Sequence, residues 1–253
     1  MSLKFFKRSD KTRVIKEDRS VFDLTSRPSD TVEKYGSLEE QFIEVFEARG
    51  DYLGQIVLIH GGYWRPEYDA AHLRPLAAAL SDLGWRVQLI EYRRTPGLPD
   101  NYLGDVRAAI IHSGGGILIG HSAGGHLALL ASNEVTSPLI KGVIALAPIS
   151  DLADAEARNL DNGAVRDFLG DFAVNRPDLD PHVVLNASVP IIIIHGSDDL
   201  RVPIDMSRNL NNSYSRIGLD CTLFEIENLG HFELIDFRKP PFEIVVAQLK
   251  KLA

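Results

Sequence analysis

The stretch ILIGHSAGGHLALL, residues 117–130, decides the fold predicted for this chain. It begins with an apolar run, passes through a Gly-x-Ser-x-Gly turn centred on Ser122, and continues into residues that favour a helix. A serine between a strand and a helix sits in a strained turn, and Gly120 and Gly124 leave room for backbone that a Cβ would block. The sequence therefore predicts that Ser122 stands above a sheet at a helix N-terminus, where free N–H groups favour developing negative charge.

Two histidines flank this turn, His121 and His126. Neither can easily face the Ser122 hydroxyl from within the same turn, so each is expected to pack or to form hydrogen bonds rather than to act as a base. His121 is in addition a candidate residue of a substrate pocket.

Apolar strands and helical segments alternate on both sides of residues 117–130. Strands are predicted at 56–59, 85–90, 116–119, 142–146, 189–194 and 222–226, and helices at 70–83, 102–111, 124–132, 204–214 and 241–252. The strands are apolar on both faces, as a mainly parallel sheet with helices on both faces requires. The predicted fold class is therefore α/β, with one domain over residues 37–253 and an N-terminal arm, residues 1–36, packed on its core.

A longer irregular stretch at about residues 150–188 breaks the alternation, with helical patches at 154–158 and 165–169. Long insertions in compact α/β domains are commonly functional and often cover the carboxyl ends of the strands. We expect a small lid-like insertion here, with plain surface packing as the alternative.

The predicted strand at 56–59 runs into the sequence HGGYW, residues 60–64. Glycines at the carboxyl end of a buried strand let backbone N–H groups turn toward a substrate oxygen. We predict an oxyanion hole formed by the N–H groups of Gly62, Tyr63 and Ala123; a glycine turn without chemistry is the alternative. His60 is expected to brace the loop, and Trp64 to line the substrate pocket or to pack.

Two further strands end in residues suited to acid–base chemistry. The run VPIIIIHGSDDLRVP, residues 189–203, places Asp198 and Asp199 after a buried strand, and from its position either could serve as the acid. The run NLGHFE, residues 228–233, places His231 after the next strand as the candidate base. Nucleophile, acid and histidine then follow in the chain order typical of Gly-x-Ser-x-Gly hydrolases.

Composition narrows the class of protein. The 253 residues include 27 basic and 35 acidic side chains, a net charge of −8 that disfavours a nucleic-acid partner. The basic stretch at residues 4–19 is expected to be a solvated arm. The single cysteine, Cys221, indicates a reducing compartment. No apolar run approaches the ~20 residues of a membrane span, and no secretory signal is evident, so we expect a cytoplasmic protein without a membrane partner.

Together these residues resemble the α/β-hydrolase superfamily, and within it the branch with a His-Gly-Gly-x-Trp signature that includes kynurenine formamidases. The match covers roughly residues 35–250 and includes, besides the segments above, Tyr35-Gly36 and the run Glu91 to Arg94. The resemblance implies that Asp199, the fifth residue of a His-Gly-x-x-Asp pattern, is the acid.

It also implies a serine hydrolase with Ser122, Asp199 and His231 as its triad, acting on a small-molecule ester or amide. Carboxylesterase and arylformamidase activities both remain open, as does homo-oligomer formation. No cofactor is expected, and the histidines show no metal-ligand spacing. The alternative from another class is a non-catalytic ligand-binding protein on the same fold.

Overall fold

The computed structural model describes residues 15–134, 139–185 and 188–253, and within them the chain forms one sheet of eight strands. The strands are β1 (Thr31–Lys34), β2 (Phe42–Phe46), β3 (Gly54–Ile59), β4 (Trp85–Ile90), β5 (Gly116–His121), β6 (Ile140–Leu146), β7 (Ile191–Gly196) and β8 (Cys221–Ile226). Their spatial order is β1-β2-β4-β3-β5-β6-β7-β8. The strands β1 and β2 pair antiparallel with their neighbours, and the other six run parallel, which confirms the predicted mainly parallel sheet.

Helices cover both faces of this sheet. They are α1 (Arg74–Asp82), α2 (Pro99–Ser113), α3 (Ala123–Glu134), α4 (Leu152–Ala157), α5 (Ala164–Leu169), α6 (Ile204–Arg216) and α7 (Pro241–Leu252). Side chains of α2, α3 and α6 pack in one apolar cluster, and those of α1 and α7 in another. Alternate residues of β3 enter the two clusters, Val57 the first and Leu58 the second, because successive side chains of a strand point to opposite faces. Among the described residues, none of the helices combines the length and apolar character needed to cross a bilayer.

The N-terminal region differs in one respect from the predicted arm. Residues 31–34 form β1 and pair with β2, so they belong to the sheet rather than to a segment lying over it. This edge strand is mostly exposed, and its sequence TVEK lacks the apolar character that marks the inner strands. Lys4, Lys7, Arg8, Lys11 and Arg13 of the basic stretch lie outside the described residues.

The insertion contains the two predicted helical patches, which are α4 and α5. Asp180 anchors the start of α4, since its carboxylate accepts a hydrogen bond from the Leu152 N–H at 3.0 Å. Phe168 of α5 stacks on Trp64 with ring centroids 4.5 Å apart. The insertion is thus packed into the apolar core, and its contribution to the cavity described below is Asp161.

Candidate active site

Ser122 occupies a tight turn between β5 and α3. Its backbone has a φ of 56°, in the left-handed region that side-chain-bearing residues adopt mainly under constraint. A Cβ on Gly120 would overlap the Gly124 carbonyl, and a Cβ on Gly124 would overlap the carbonyl oxygens of Ile59 and His60. Both glycines are therefore needed for space, as the sequence predicted, and the strained turn holds Ser122 at the carboxyl edge of the sheet.

His231 and Asp199 form a close pair at the same edge. Nδ1 of His231 donates to Oδ2 of Asp199 at 2.7 Å, and both side chains are buried. With its proton on Nδ1, the imidazole presents an unprotonated Nε2, which is the atom that a general base uses. The pair joins loops that follow β7 and β8, which are neighbours in the sheet.

Asp199 is held in its ionised form. The other carboxylate oxygen, Oδ1, accepts the backbone N–H groups of Arg201 at 2.7 Å and Val202 at 2.8 Å. Nε2 of His195 lies 3.2 Å from Oδ2. Burial alone would raise the pKa of Asp199, but the electrostatic interaction with His231 and the hydrogen bonds from His195 and His231 hold it well below its ordinary value.

Asp198, the other candidate acid, occupies a different environment. Its backbone N–H donates to the Leu229 carbonyl at 2.9 Å, and its carboxylate accepts the Ser197 hydroxyl at 3.1 Å. It is half-buried within the turn, whereas Asp199 contacts the imidazole of His231. From their position in the sequence, Asp198 and Asp199 were equivalent candidates for the acid. In the structure, Asp199 is the one that hydrogen-bonds His231.

Ser122 and His231 line the same cavity, which has a volume of about 50 Å³. Gly62, Tyr63 and His121 also line it. Residues from four separate loops, following β3, β5, β7 and β8, thus lie around one space at the carboxyl edge of the sheet, where open α/β sheets bind ligands.

The loop after β3 presents the predicted oxyanion donors. Ile59 pairs with Gly120 in the sheet, which places this loop beside the turn that carries Ser122. Within the described part of the chain, the N–H groups of Gly62 and Tyr63 donate no hydrogen bond. Ala123 is the first residue of α3, so its N–H has no acceptor within the helix. The N–H groups of Gly62, Tyr63 and Ala123 therefore have no backbone acceptor among the described residues.

Buried polar side chains behind this loop fix its backbone. His60 is fully buried, with Nδ1 2.9 Å from the Gly61 carbonyl and Nε2 3.0 Å from Glu91 Oε1. Glu91 also pairs with Arg94 and accepts the Ala70 N–H at 2.9 Å. Burial would raise the pKa of Glu91, but the hydrogen bond and charge of His60 and the charge of Arg94 lower it to about 2. His60 therefore braces the loop, through an ionised carboxylate.

Replacing this carboxylate should destabilise the fold in a pH-dependent way. We expect Glu91→Gln to lower the free energy of unfolding at pH 7 by about 3 kcal/mol, because a buried ion pair loses one partner. The folded-state pKa lies below the unfolded one, so the contribution is present above the unfolded pKa and is lost as pH falls from about 5 toward 2. Urea unfolding at pH 7 and pH 3 should show the gap between the two proteins narrowing at the lower pH.

Glu67→Gln is the matched control, since Glu67 is exposed on the loop after β3, which Glu91 supports through His60. An equal loss in both variants, or a gap for Glu91→Gln that widens at pH 3, would contradict the assignment.

The histidines flanking Ser122 are both buried and engaged with protein acceptors. Nε2 of His121 donates to the His231 carbonyl at 3.2 Å, and Nε2 of His126 donates to the Leu179 carbonyl at 2.8 Å. Burial, together with the electrostatic interaction with His231, lowers the pKa of His121 well below its ordinary value, and burial lowers the pKa of His126 to about 4. Both rings are neutral at pH 7. Among the described residues, no group of three or more His, Cys, Asp or Glu side chains could hold a metal ion.

The two tentative pocket residues lie in different places. His121 borders the cavity in front of Ser122. Trp64 is 2% exposed and packs against Phe168 and His126, and it is absent from the lining of that cavity. Trp64 follows the pattern of an aromatic residue packing after a core strand.

Several cavity residues were not predicted from the sequence. Arg19 and Phe22 come from the N-terminal segment, His72 precedes α1, and Arg201 and Phe232 each lie one or two positions from a predicted residue. Arg201 and Phe232 could have been found by their adjacency to Asp199 and His231. The other three carry no local signal, because only tertiary packing brings them to the cavity.

A mainly parallel sheet with a serine on a strand–turn–helix elbow and an Asp–His pair on later loops defines the α/β-hydrolase fold. Within it, the chain belongs to the BD-FAE family, whose family model matches residues 46–214. It is similar to esterase LipC of Mycobacterium tuberculosis, with 28% identity in a match that covers 72% of this chain. The chain spans 53% of the length of that relative.

Solved structures of esterases share this architecture. Esterase B from Lactobacillus rhamnosis HN001 matches with a TM-score of 0.73 and 19% identity, covering 90% of this chain and 87% of the other. A thermophilic esterase from Thermogutta terrifontis matches with a TM-score of 0.70 and 20% identity, covering 88% of this chain and 93% of the other. At these identities the likeness establishes the fold.

Proposed function

We propose that this protein is a serine hydrolase that cleaves a carboxylic ester or a formyl-amide through an acyl-enzyme intermediate. The observation that carries the proposal is the joint position of Ser122 and His231 on one cavity, with His231 Nδ1 hydrogen-bonded to Asp199. The esterase LipC similarity supports a hydrolase of the carboxylesterase type.

In the proposed reaction, His231 Nε2 takes the proton of the Ser122 hydroxyl as the serine oxygen attacks the substrate carbonyl. The resulting imidazolium then donates this proton to the leaving group, and the acyl-enzyme forms. Water, deprotonated by the same imidazole, releases the acyl group and regenerates Ser122. Asp199 holds the Nδ1–H tautomer and stabilises the imidazolium without taking the proton.

The tetrahedral oxyanion would accept hydrogen bonds from the N–H groups of Gly62, Tyr63 and Ala123. Such donors stabilise charge that develops only in the transition state, and losing one typically costs on the order of 10²- to 10³-fold in rate. The neutral state of His121 is compatible with this chemistry. A second positive ring, 4.5 Å from His231 by ring centroids, would oppose protonation of the base.

The size of the cavity favours a short acyl group. A volume of about 50 Å³ is far below the roughly 300 to 1,000 Å³ of pockets that enclose drug-sized ligands. We infer that a formyl or acetyl group would occupy this space beside Ser122, and that the leaving group would extend toward the rim. This property suits both an arylformamidase and a short-chain carboxylesterase.

We expect kcat/KM for phenyl esters to fall at least 10-fold from acetate to octanoate, because a long acyl chain would have to displace packed side chains around the cavity. A series of phenyl acetate, butyrate and octanoate at submicellar concentrations measures this. Equal or rising kcat/KM along the series would contradict a short-acyl site.

The same assay separates the two substrate classes. A kcat/KM for N-formylkynurenine above that for phenyl acetate would identify an arylformamidase, and a preference for the ester above ~100-fold would exclude one. The non-catalytic alternative predicts no turnover of either and no covalent labelling of Ser122 by a fluorophosphonate probe.

A further inference from the structure

Part of the N-terminal segment forms one wall of the cavity. Arg19 and Phe22 both line the space that contains Ser122. Ion pairs hold this segment in place: Glu17 meets Arg201 at 2.5 and 2.8 Å, and Asp18 meets Lys239 at 3.0 Å. The cavity wall therefore includes a residue pair about 100 positions before the serine in the sequence.

Positive charge at this wall is only partly neutralised. Both oxygens of Glu17 bind Arg201, and Arg19 adds one longer contact, from Nη1 to Glu17 Oε2 at 3.3 Å. One carboxylate thus serves two guanidinium groups. Within residues 15–134, 139–185 and 188–253, this is the single hydrogen bond that Arg19 donates, and its side chain is 53% exposed. Its other N–H groups have no acceptor among the described side chains and backbone groups, and we infer that they can bind a ligand.

Asp161, the acidic residue in the described lining of the cavity, forms no hydrogen bond with Arg19, unlike Glu17. Asp161 has its own partner, since Arg65 Nε donates to Asp161 Oδ2 at 2.6 Å and Arg65 Nη2 donates to the Asp161 carbonyl at 2.6 Å. Its carboxylate is therefore engaged by Arg65 of the loop after β3. Among the described cavity residues, Arg19 donates one side-chain hydrogen bond and Arg201 donates two, so Arg19 is the less engaged of the two guanidinium groups.

The ring of Phe232 lies between Arg19 and the candidate base, in contact with both. Its guanidinium carbon lies 5.2 Å from the ring centroid of Phe22 and 5.1 Å from that of Phe232. Phe232 in turn packs against His231, with ring centroids 5.2 Å apart. His231 protonates the leaving group in the proposed reaction, so the leaving group lies on its side of the cavity. An aromatic leaving group there would contact Phe22 and Phe232 and extend toward Arg19.

We propose that Arg19 is a specificity-determining residue that binds an anionic substituent, a carboxylate, on an aromatic leaving group. This inference rests on the proposed hydrolase function, and it names the substrate class of the same site. A planar guanidinium forms paired hydrogen bonds with a carboxylate and stacks on aromatic rings, which matches the position of Arg19.

The test compares two acetate esters that differ in charge, 4-carboxyphenyl acetate and its neutral methyl ester, 4-(methoxycarbonyl)phenyl acetate. The measured quantity is the ratio of kcat/KM for the carboxylate to kcat/KM for the methyl ester. We expect Arg19→Gln to lower this ratio about 10-fold, as the loss of a partly exposed charge-assisted hydrogen bond predicts. Arg19→Lys should retain part of the ratio, and added salt should lower it in the wild type.

Arg208→Gln is the matched control, because Arg208 is similarly exposed (45%) and paired with Glu225, outside the cavity. It should leave the ratio unchanged. A ratio for Arg19→Gln within 2-fold of the wild type would overturn the proposal.

A binding measurement keeps this test separate from the proposed catalysis. Isothermal titration calorimetry with 4-hydroxybenzoate and with its methyl ester measures the charge preference without turnover. The preference is then expressed as the ratio of the two Kd values. Weaker binding of 4-hydroxybenzoate to Arg19→Gln, in a protein that hydrolyses neither ester, would support the anion site and contradict the hydrolase. If the protein hydrolyses the esters and Arg19→Gln keeps the charge preference of the wild type, the result would support the hydrolase and contradict the anion site.

Discussion

Ser122→Ala is expected to lower kcat/KM for phenyl acetate by roughly 10⁴- to 10⁶-fold and to abolish labelling by a fluorophosphonate probe. The proposed reaction forms its covalent bond at the Ser122 oxygen, and alanine removes this atom while keeping the Cβ that the turn already accommodates. Residual activity would come from the backbone donors and from substrate binding alone.

The control for this variant is Ser132→Ala, the same substitution in the helix that follows Ser122. Ser132 is buried on α3, where its hydroxyl donates to the Leu129 carbonyl at 2.8 Å, away from the cavity. Probe labelling that persists in Ser122→Ala, or is lost equally in Ser132→Ala, would rule out Ser122 as the nucleophile. Near-identical thermal unfolding of Ser122→Ala and the wild type would show that the lost activity is not lost folding.

Asp199→Asn should reduce kcat by about 10⁴-fold near pH 7. Oδ1 of Asp199 accepts two backbone N–H groups, which would hold the amide oxygen of the asparagine in that position. The amide NH₂ would then face His231 Nδ1 and favour the tautomer with its proton on Nε2. That tautomer cannot take the Ser122 proton. Steady-state kinetics from pH 6 to pH 10 measure the loss and its recovery as hydroxide replaces the base.

Asp198→Asn tests the choice between the adjacent aspartates. The Asp198 carboxylate accepts the neighbouring Ser197 hydroxyl, whereas the Asp199 carboxylate accepts His231 Nδ1, so we expect kcat of Asp198→Asn to change by less than about 5-fold. Comparable losses in the two variants, or a larger loss in Asp198→Asn, would assign the acid to Asp198.

The sheet and most of its helices could be predicted because their signals are local. The strand predicted at 85–90 coincides with β4, and that at 222–226 differs from β8 by one residue. Buried parallel strands are apolar on both faces, so each of them can be predicted from a continuous apolar run in the sequence. Strand β1 had no such signal, since an exposed edge strand needs few apolar residues, and it was assigned to the arm.

Some residues of the candidate site could likewise be predicted from local sequence, and others could not. Ser122 and the glycines around it were predictable from backbone geometry, because the turn excludes a Cβ at two positions. The choice of Asp199 over Asp198 depended on resemblance to a family, since burial and contact with His231 are properties of the folded chain. Arg19 was unpredictable, because its place at the cavity depends on an ion pair between positions 17 and 201.

The ion pair between Glu17 and Arg201 affects how the protein should respond to proteolysis. It joins Glu17, near the beginning of the described chain, to Arg201 in the loop that carries Asp199. The candidate site therefore contains residues that lie far apart in the sequence. A proteolytic cut or truncation that frees this leading segment would remove a wall of the site while sparing the serine. Turnover should therefore decay earlier than bulk secondary structure when the preparation is nicked, which makes kinetic assays a sensitive gauge of sample integrity.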